Sequence, residues 1–396
     1  MLTTHIGKTI EERAFAALLA TLFAITFSIA LGQLFAGICL GLFLLGLFRK
    51  QIVWRSPPGS MWAVAFIVLA VILSASHGEA AGLWRRVSRL GWFILIPVTA
   101  SLVNRPGRDW KVIAAFLAGA AVLGVKDLVL YPILAGLKPV PDYLTALIDK
   151  GSMTDGQMLM LGVVGTVLVL VMAIKDRRSI PWWGWVLLLA QVAGLLINFK
   201  RGSWFCALIL IGIMVLMQLR WRAWLVMVIG VVIFCALPPV QTRMGQLKRE
   251  FNVEGGGRLT MWFKIAPTLI QEHPAGLGYG CLTNDQMRQV FKRVEPNRNH
   301  LHANWAQVLV ETGWAGLALY LAWMAKMLLN KLAWIRRVRG RTLEERGVAW
   351  VAFTLLVGLL LNGLVEYNFG DTELVFIYAF LMGLTGACNS KSESVK

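Results

Sequence analysis

The chain has 396 residues, of which 57% are hydrophobic and only 15% charged, with a formal net charge of +18. Soluble domains carry about a quarter charged residues, so an ordinary soluble domain is excluded. The basic residues are scattered over short loops between apolar runs. That excludes a nucleic-acid-binding surface and fits a positive-inside topology with attraction to anionic membrane lipid.

Apolar runs of roughly 15–20 residues recur, each about long enough to cross a hydrocarbon core. Backbone exposed to lipid has no water to bond, so these runs must be helices. The sequence predicts an all-α polytopic protein: one membrane domain over residues 1–396, about twelve transmembrane helices and both termini cytoplasmic. Seventeen tryptophans suit the headgroup zone. The five cysteines, Cys39, Cys206, Cys235, Cys281 and Cys388, form no disulfide or zinc pattern. The first apolar run leads directly into a second, unlike a cleavable signal.

Met1 to Arg13 reads as a short polar segment. Ala14 to Phe48 is about two spans long, and Gly32-Gln33 reads as the turn between them. The basic loop at Arg49, Lys50 and Arg55 anchors the cytoplasmic side. Met61 to Ser76 goes out. Ala80 to Leu90 alternates Arg85, Arg86 and Arg89 with Leu83, Trp84, Val87 and Leu90, a helix lying in the outer interface with its arginines toward headgroups. Gly91 to Val103 returns to Arg105, Arg108 and Lys111. Val112 to Pro132 goes out, with Lys126-Asp127 read as an internal ion pair, and Gly136 to Gly156 is an outer loop. Gln157 to Ile174, Pro181 to Phe199, Trp204 to Leu219 and Ala223 to Val240 are the next four spans. Gly313 to Asn330 returns to the basic loop Lys331 to Arg346. Gly347 to Val365 and Leu374 to Cys388 are the last two spans, joined by an outer turn holding Glu366, Asp371 and Glu373.

The polar segment 241–302, between spans nine and ten, is the expected periplasmic loop. It holds three of the five histidines. Its nine basic and five acidic residues give 9 − 5 = +4. A basic outer surface at the membrane suits a phosphate or diphosphate headgroup. Arg201, in Lys200-Arg201-Gly202-Ser203, starts a helix whose free N–H groups favour an anion. Snorkelling to headgroups is the plainer account of that charge. Arg258 follows Gly255-Gly256-Gly257 and opens an amphipathic run, Leu259, Met261, Trp262 and Ile265. There it opposes the helix dipole, a conflict that a bound anion would relieve. An ordinary exposed arginine remains the alternative. Pro274, Gly276, Gly278 and Gly280 form a glycine-rich turn, serving either substrate approach or the fold alone. His300 and His302 flank Leu301. An imidazole titrates near neutrality, which makes His302 a candidate general base. A metal reading fails for want of a third ligand or helical spacing. Glu311, Glu366, Asp371 and Glu373 are candidates to orient an arginine or a histidine, or are simply solvated.

These residues resemble the bacterial O-antigen ligase family, membrane glycosyltransferases of lipopolysaccharide biosynthesis. The outer-face arginine at a span start is similar to Arg201. The long-loop arginine is similar to Arg258, in Gly257-Arg258-Leu259-Thr260-Met261-Trp262. The histidine that precedes a G-x-x-G pair is similar to His302, ahead of Gly313 and Gly316. Ala303 departs from the family's small polar residue after that histidine. The resemblance implies transfer of O-antigen from undecaprenyl diphosphate to a sugar hydroxyl of the lipid A-core, at the periplasmic face of a Gram-negative inner membrane. It implies a metal-free, cofactor-free, inverting reaction in which His302 is the base and Arg201 and Arg258 hold the diphosphate. Lys200, His300, Gly313 and Gly316 are then expected around the substrate. An O-antigen or exopolysaccharide polymerase uses the same donor with another acceptor. A transporter of an anionic or lipid-linked substrate is a third reading, against which stands the lack of a clear internal repeat.

Overall fold

The computed structural model describes residues 2–77, 80–134, 152–218, 222–236, 240–241, 253–294 and 299–385, and all regular structure in them is helical. Five of these helices are long and apolar enough to cross a membrane: Ile29–Phe48, Arg108–Ile133, Met153–Lys175, Asn304–Arg337 and Leu343–Gly363. Ser60–Ser76, Trp182–Ile197, Arg201–Met217 and Thr372–Gly383 are shorter apolar helices. Most of the expected outer loop Gly136 to Gly156 lies outside the described residues. So do Arg220, Arg243, Lys248, Arg249, Glu250, Glu295, Arg298, Cys388 and the side chain of Arg85.

In chain order the elements are α1 (Leu2–Ile25), α2 (Ile29–Phe48), α3 (Ser60–His77), α4 (Ala80–Gly91), α5 (Leu95–Leu102), α6 (Arg108–Leu134), α7 (Ser152–Lys175), α8 (Trp182–Ile197), α9 (Arg201–Gln218) and α10 (Arg222–Ala236). Arg258–Thr260, a π turn at Met261–Ile265 and Ala266–Glu272 run on as α11. Then come α12 (Asn284–Val290), α13 (Asn304–Arg337), α14 (Leu343–Gly363) and α15 (Thr372–Gly383). The short α5 and α15 pack against each other and are buried almost throughout. Each is apolar on all sides, which in a helix bundle means the centre. A second, smaller core lies in the loop, where Met261, Ile265, Leu269, Leu282 and Met287 close over Leu301, Ala306 and Val310. The loop therefore docks on the first turns of α13.

Several expectations shift. The first apolar run breaks at Thr26–Ser28 rather than at Gly32-Gln33. Ser28 caps α2 by accepting from the Leu31 N–H, while Gly32 is spent on close packing against Ile25. The N-terminal polar segment continues α1. Its Glu11 is buried and takes Arg105 and Arg108, the latter at 2.6 Å. Two of the α4 arginines, Arg86 and Arg89, reach protein groups. Arg86 Nε donates to Ser74 Oγ at 3.1 Å, and Arg89 Nη1 to the Gly370 carbonyl at 2.8 Å. Lys126 and Asp127 do not pair, because successive helical residues face apart. Lys126 binds Asp155 at 3.0 Å and Asp127 accepts from Asn198 at 3.2 Å.

Candidate active site

The site is built on one end of the bundle, where α9, α11 and α13 begin and the 364–371 turn crosses between α14 and α15. Gly257, in extended conformation, starts α11, so Arg258 sits in its first turn as the sequence suggests. Thr260 Oγ1 ties the glycine turn down: it accepts from the Gly256 N–H at 3.0 Å and donates to the Val253 carbonyl at 2.5 Å. One turn on, Trp262 Nε1 donates to the Leu301 carbonyl at 2.9 Å. The Leu301 N–H is held by Gln307 Oε1 at 2.8 Å. This pins both sides of Leu301 and delivers His302 to the site. His302 is 5% exposed and has φ 51°, the left-handed region that few non-glycine residues adopt.

The partner that brings these groups together is Glu366. One carboxylate oxygen pairs with Arg258 Nη2, and the other lies 3.2 Å from His302 Nδ1. A carboxylate only accepts, so Nδ1 is the donor in this contact, and in a neutral ring that leaves the lone pair on Nε2. The start of α9 completes the cluster. A Cβ on Gly202 would lie 3.9 Å from Glu366 Oε1, which places the first turn of α9, and with it Arg201, beside the same carboxylate. The anion that offsets Arg258 at its helix N-terminus is thus a protein side chain. His300 meets His302 edge to face at 4.4 Å and lies 6.2 Å from the Tyr367 ring. Burial pushes the hydroxyls of Tyr279 and Tyr367 up, so both remain protonated.

Glu366 is held in place through the neighbouring turn residues Asn368 and Phe369. Phe369 is fully buried, with the rings of Phe66, Phe93, Tyr320, Trp323 and Tyr378 all within 5.7 Å of its own. Asn304, two residues after His302, donates to Asn368 Oδ1 at 2.7 Å. It accepts from the backbone N–H groups of Asn368 and Phe369 at 2.9 and 3.0 Å. The histidine and its carboxylate partner are therefore clamped through one amide, across 64 residues of sequence. Asn304, Asn368 and Phe369 had no sequence signal beyond being polar, or aromatic, at a span boundary.

Other expected site residues make packing contacts of their own. Lys200 packs its stem on Gly156 of α7. Gly313 breaks α13 with φ 65° and ψ −173°, a conformation essentially restricted to glycine. The break turns the Val310 and Glu311 carbonyls to the Leu277 and Gly278 N–H groups, each at 2.9 Å. Gly276 packs against that kink, Gly278 against Leu73 and Ser74, and Gly280 against Arg86, so the glycine-rich turn serves the fold. Gly316 sits against Thr312. Glu311 is buried and accepts from Gln307 at 2.8 Å, so it braces the residue that braces Leu301.

Residues 185–321 match the family model for O-antigen ligase. Over that segment the chain is similar to the O-antigen ligase family. This bears out the resemblance read from Arg201, Arg258 and His302, all inside the matched segment. The match supports a function of the O-antigen ligase or polymerase type, with lipid-linked polysaccharide and a lipid acceptor as general substrate classes. The match ends at residue 321, so Glu366 and its supports lie beyond it. No curated protein matches the chain.

Proposed function

We propose that the protein is an O-antigen ligase: it transfers glycan from a polyprenyl diphosphate to a sugar hydroxyl of the lipid A-core, at the outer face of a Gram-negative inner membrane. About twelve spans would carry the 241–302 loop on that face. The observation that supports this best is the meeting of Arg258 and His302 on Glu366 beside the start of α9. Segments far apart in sequence bring Arg258 and His302 onto the Glu366 carboxylate, beside the helix that Arg201 begins.

His302 Nε2 accepts the proton of the attacking hydroxyl while Glu366 holds Nδ1. The hydroxyl oxygen bonds to the anomeric carbon as the bond from that carbon to the diphosphate breaks, inverting the centre. Arg201 and Arg258 take up the charge that grows on the leaving diphosphate. Guanidinium suits this because it is always charged and can make two parallel hydrogen bonds. Glu366 is a positioning residue in this scheme. Arginine supplies the charge that a divalent ion supplies elsewhere, so chelator should leave the rate unchanged.

The test is transfer by purified protein given lipid-linked O-antigen, with and without lipid A-core. Glycan joined to the core, and lost in His302→Ala, supports the ligase. Longer glycan on the carrier lipid with the core untouched would instead make the protein a polymerase.

A further inference from the structure

We infer that the end of the bundle opposite this site holds a binding site for the phosphodiester headgroup of an anionic lipid. A cavity of about 380 Å³ opens there between the end of α7, the end of α13 and the start of α14. Lys175, Arg336, Arg339 and Arg346 line it, with Asp176 as the one acid. Four cations against one carboxylate leave a surplus of +3 around a confined space.

Helix dipoles account for part of this. Lys175 and Arg336 sit at helix C-termini, where cations are favoured. Arg346 does not fit that account, since it lies in the N-terminal part of α14. Asp176 pairs with its Nη2 at 2.7 Å, yet its Nε is buried with no hydrogen-bond partner among the described residues. A planar guanidinium with one edge engaged and a buried donor left over is suited to a phosphate oxygen.

The rest of the lining argues for a lipid rather than a free ion. Met172, Met217, Ile335 and Trp350 supply an apolar wall, and an indole at the rim of a basic cavity is typical of the headgroup zone. Depth agrees. The 21 residues of α14 rise about 30 Å between the cavity and the Glu366 site, the thickness of a hydrocarbon core. The two sites thus lie at opposite headgroup levels.

The full-length protein in non-ionic detergent would be titrated with dioctanoyl-phosphatidylglycerol, dioctanoyl-phosphatidylcholine and inorganic phosphate, and melting followed by tryptophan fluorescence. Saturable stabilisation by phosphatidylglycerol alone is expected. Its midpoint should weaken at least tenfold in Arg336→Gln/Arg339→Gln, both exposed positions, and hold in Arg49→Gln/Arg55→Gln, exposed basic residues of another loop. Arg339→Gln alone, expected to weaken it severalfold, replaces the double variant if that folds poorly. Equal weakening in both variants, or no saturation, would overturn the site in favour of general surface charge. An equal response to inorganic phosphate would overturn the lipid as its occupant.

Discussion

Replacing Glu366 by glutamine tests the heart of the site with almost no change in volume. The carboxylate faces two donors, Arg258 Nη2 and His302 Nδ1. An amide offers one acceptor and one donor, so it cannot serve both. If its oxygen stays on Arg258, its NH2 donates to Nδ1, the ring proton moves to Nε2, and the base is lost. If its oxygen turns to His302, its NH2 points at the guanidinium and a charged hydrogen bond is lost. Such bonds contribute about 1.5–3 kcal/mol each, which is roughly a 10- to 150-fold effect in rate. Loss of general-base function costs about 10²–10⁴-fold. Glu366→Gln should therefore slow transfer by about 10²-fold or more, with its loss in kcat. Initial rates over a pH series, alongside melting curves, would measure it. A rate within about twofold of wild type and an unchanged pH profile would refute the arrangement.

Asn304→Ala leaves the Asn368 and Phe369 N–H groups buried without their acceptor, at about 1–3 kcal/mol each. Melting should fall clearly and transfer with it. Asn304→Asp, which restores the acceptor, should recover part of both, and no recovery would argue against the clamp. Gly313→Ala should be destabilising by about 1–3 kcal/mol, because its Cβ would meet the Pro274 carbonyl at 2.7 Å. Wild-type melting would show that the kink is not needed. Burial, and then the Glu373 carboxylate, push Asp371 up to about 7. The folded state thus holds this proton more tightly than the unfolded chain. The stability it adds is complete below the ordinary carboxylate range near 4 and is lost as pH rises towards 7. Asp371→Asn should flatten the fall in melting temperature between pH 4 and 7, and a slope equal to wild type would remove Asp371 as its source.

Composition and periodicity were enough for an all-helical, apolar chain, because lipid leaves the backbone one local way to satisfy its hydrogen bonds. Local pattern also placed Arg258 at a helix start after its glycines, Arg201 at the head of α9 and His302 just ahead of α13. What it could not assign was partners. Lys126 and Asp127 are adjacent in sequence and bind different residues, and Arg86 and Arg89 of α4 reach across to Ser74 and Gly370. The glycine-rich turn at Gly276 is visible in sequence and Gly313 reads there as a span start, yet only packing shows that the turn fits against a kink at Gly313. Glu366 is the clearest case. In sequence it is one of three acids in an outer turn. Its role comes from Phe369 filling an aromatic pocket and from Asn304, 64 residues before Asn368, holding the backbone of Asn368 and Phe369. Hydrophobic period and helix caps act within a few residues and are written locally. A carboxylate meeting an arginine and a histidine from separate helices depends on how the bundle closes, and only the tertiary structure decides that.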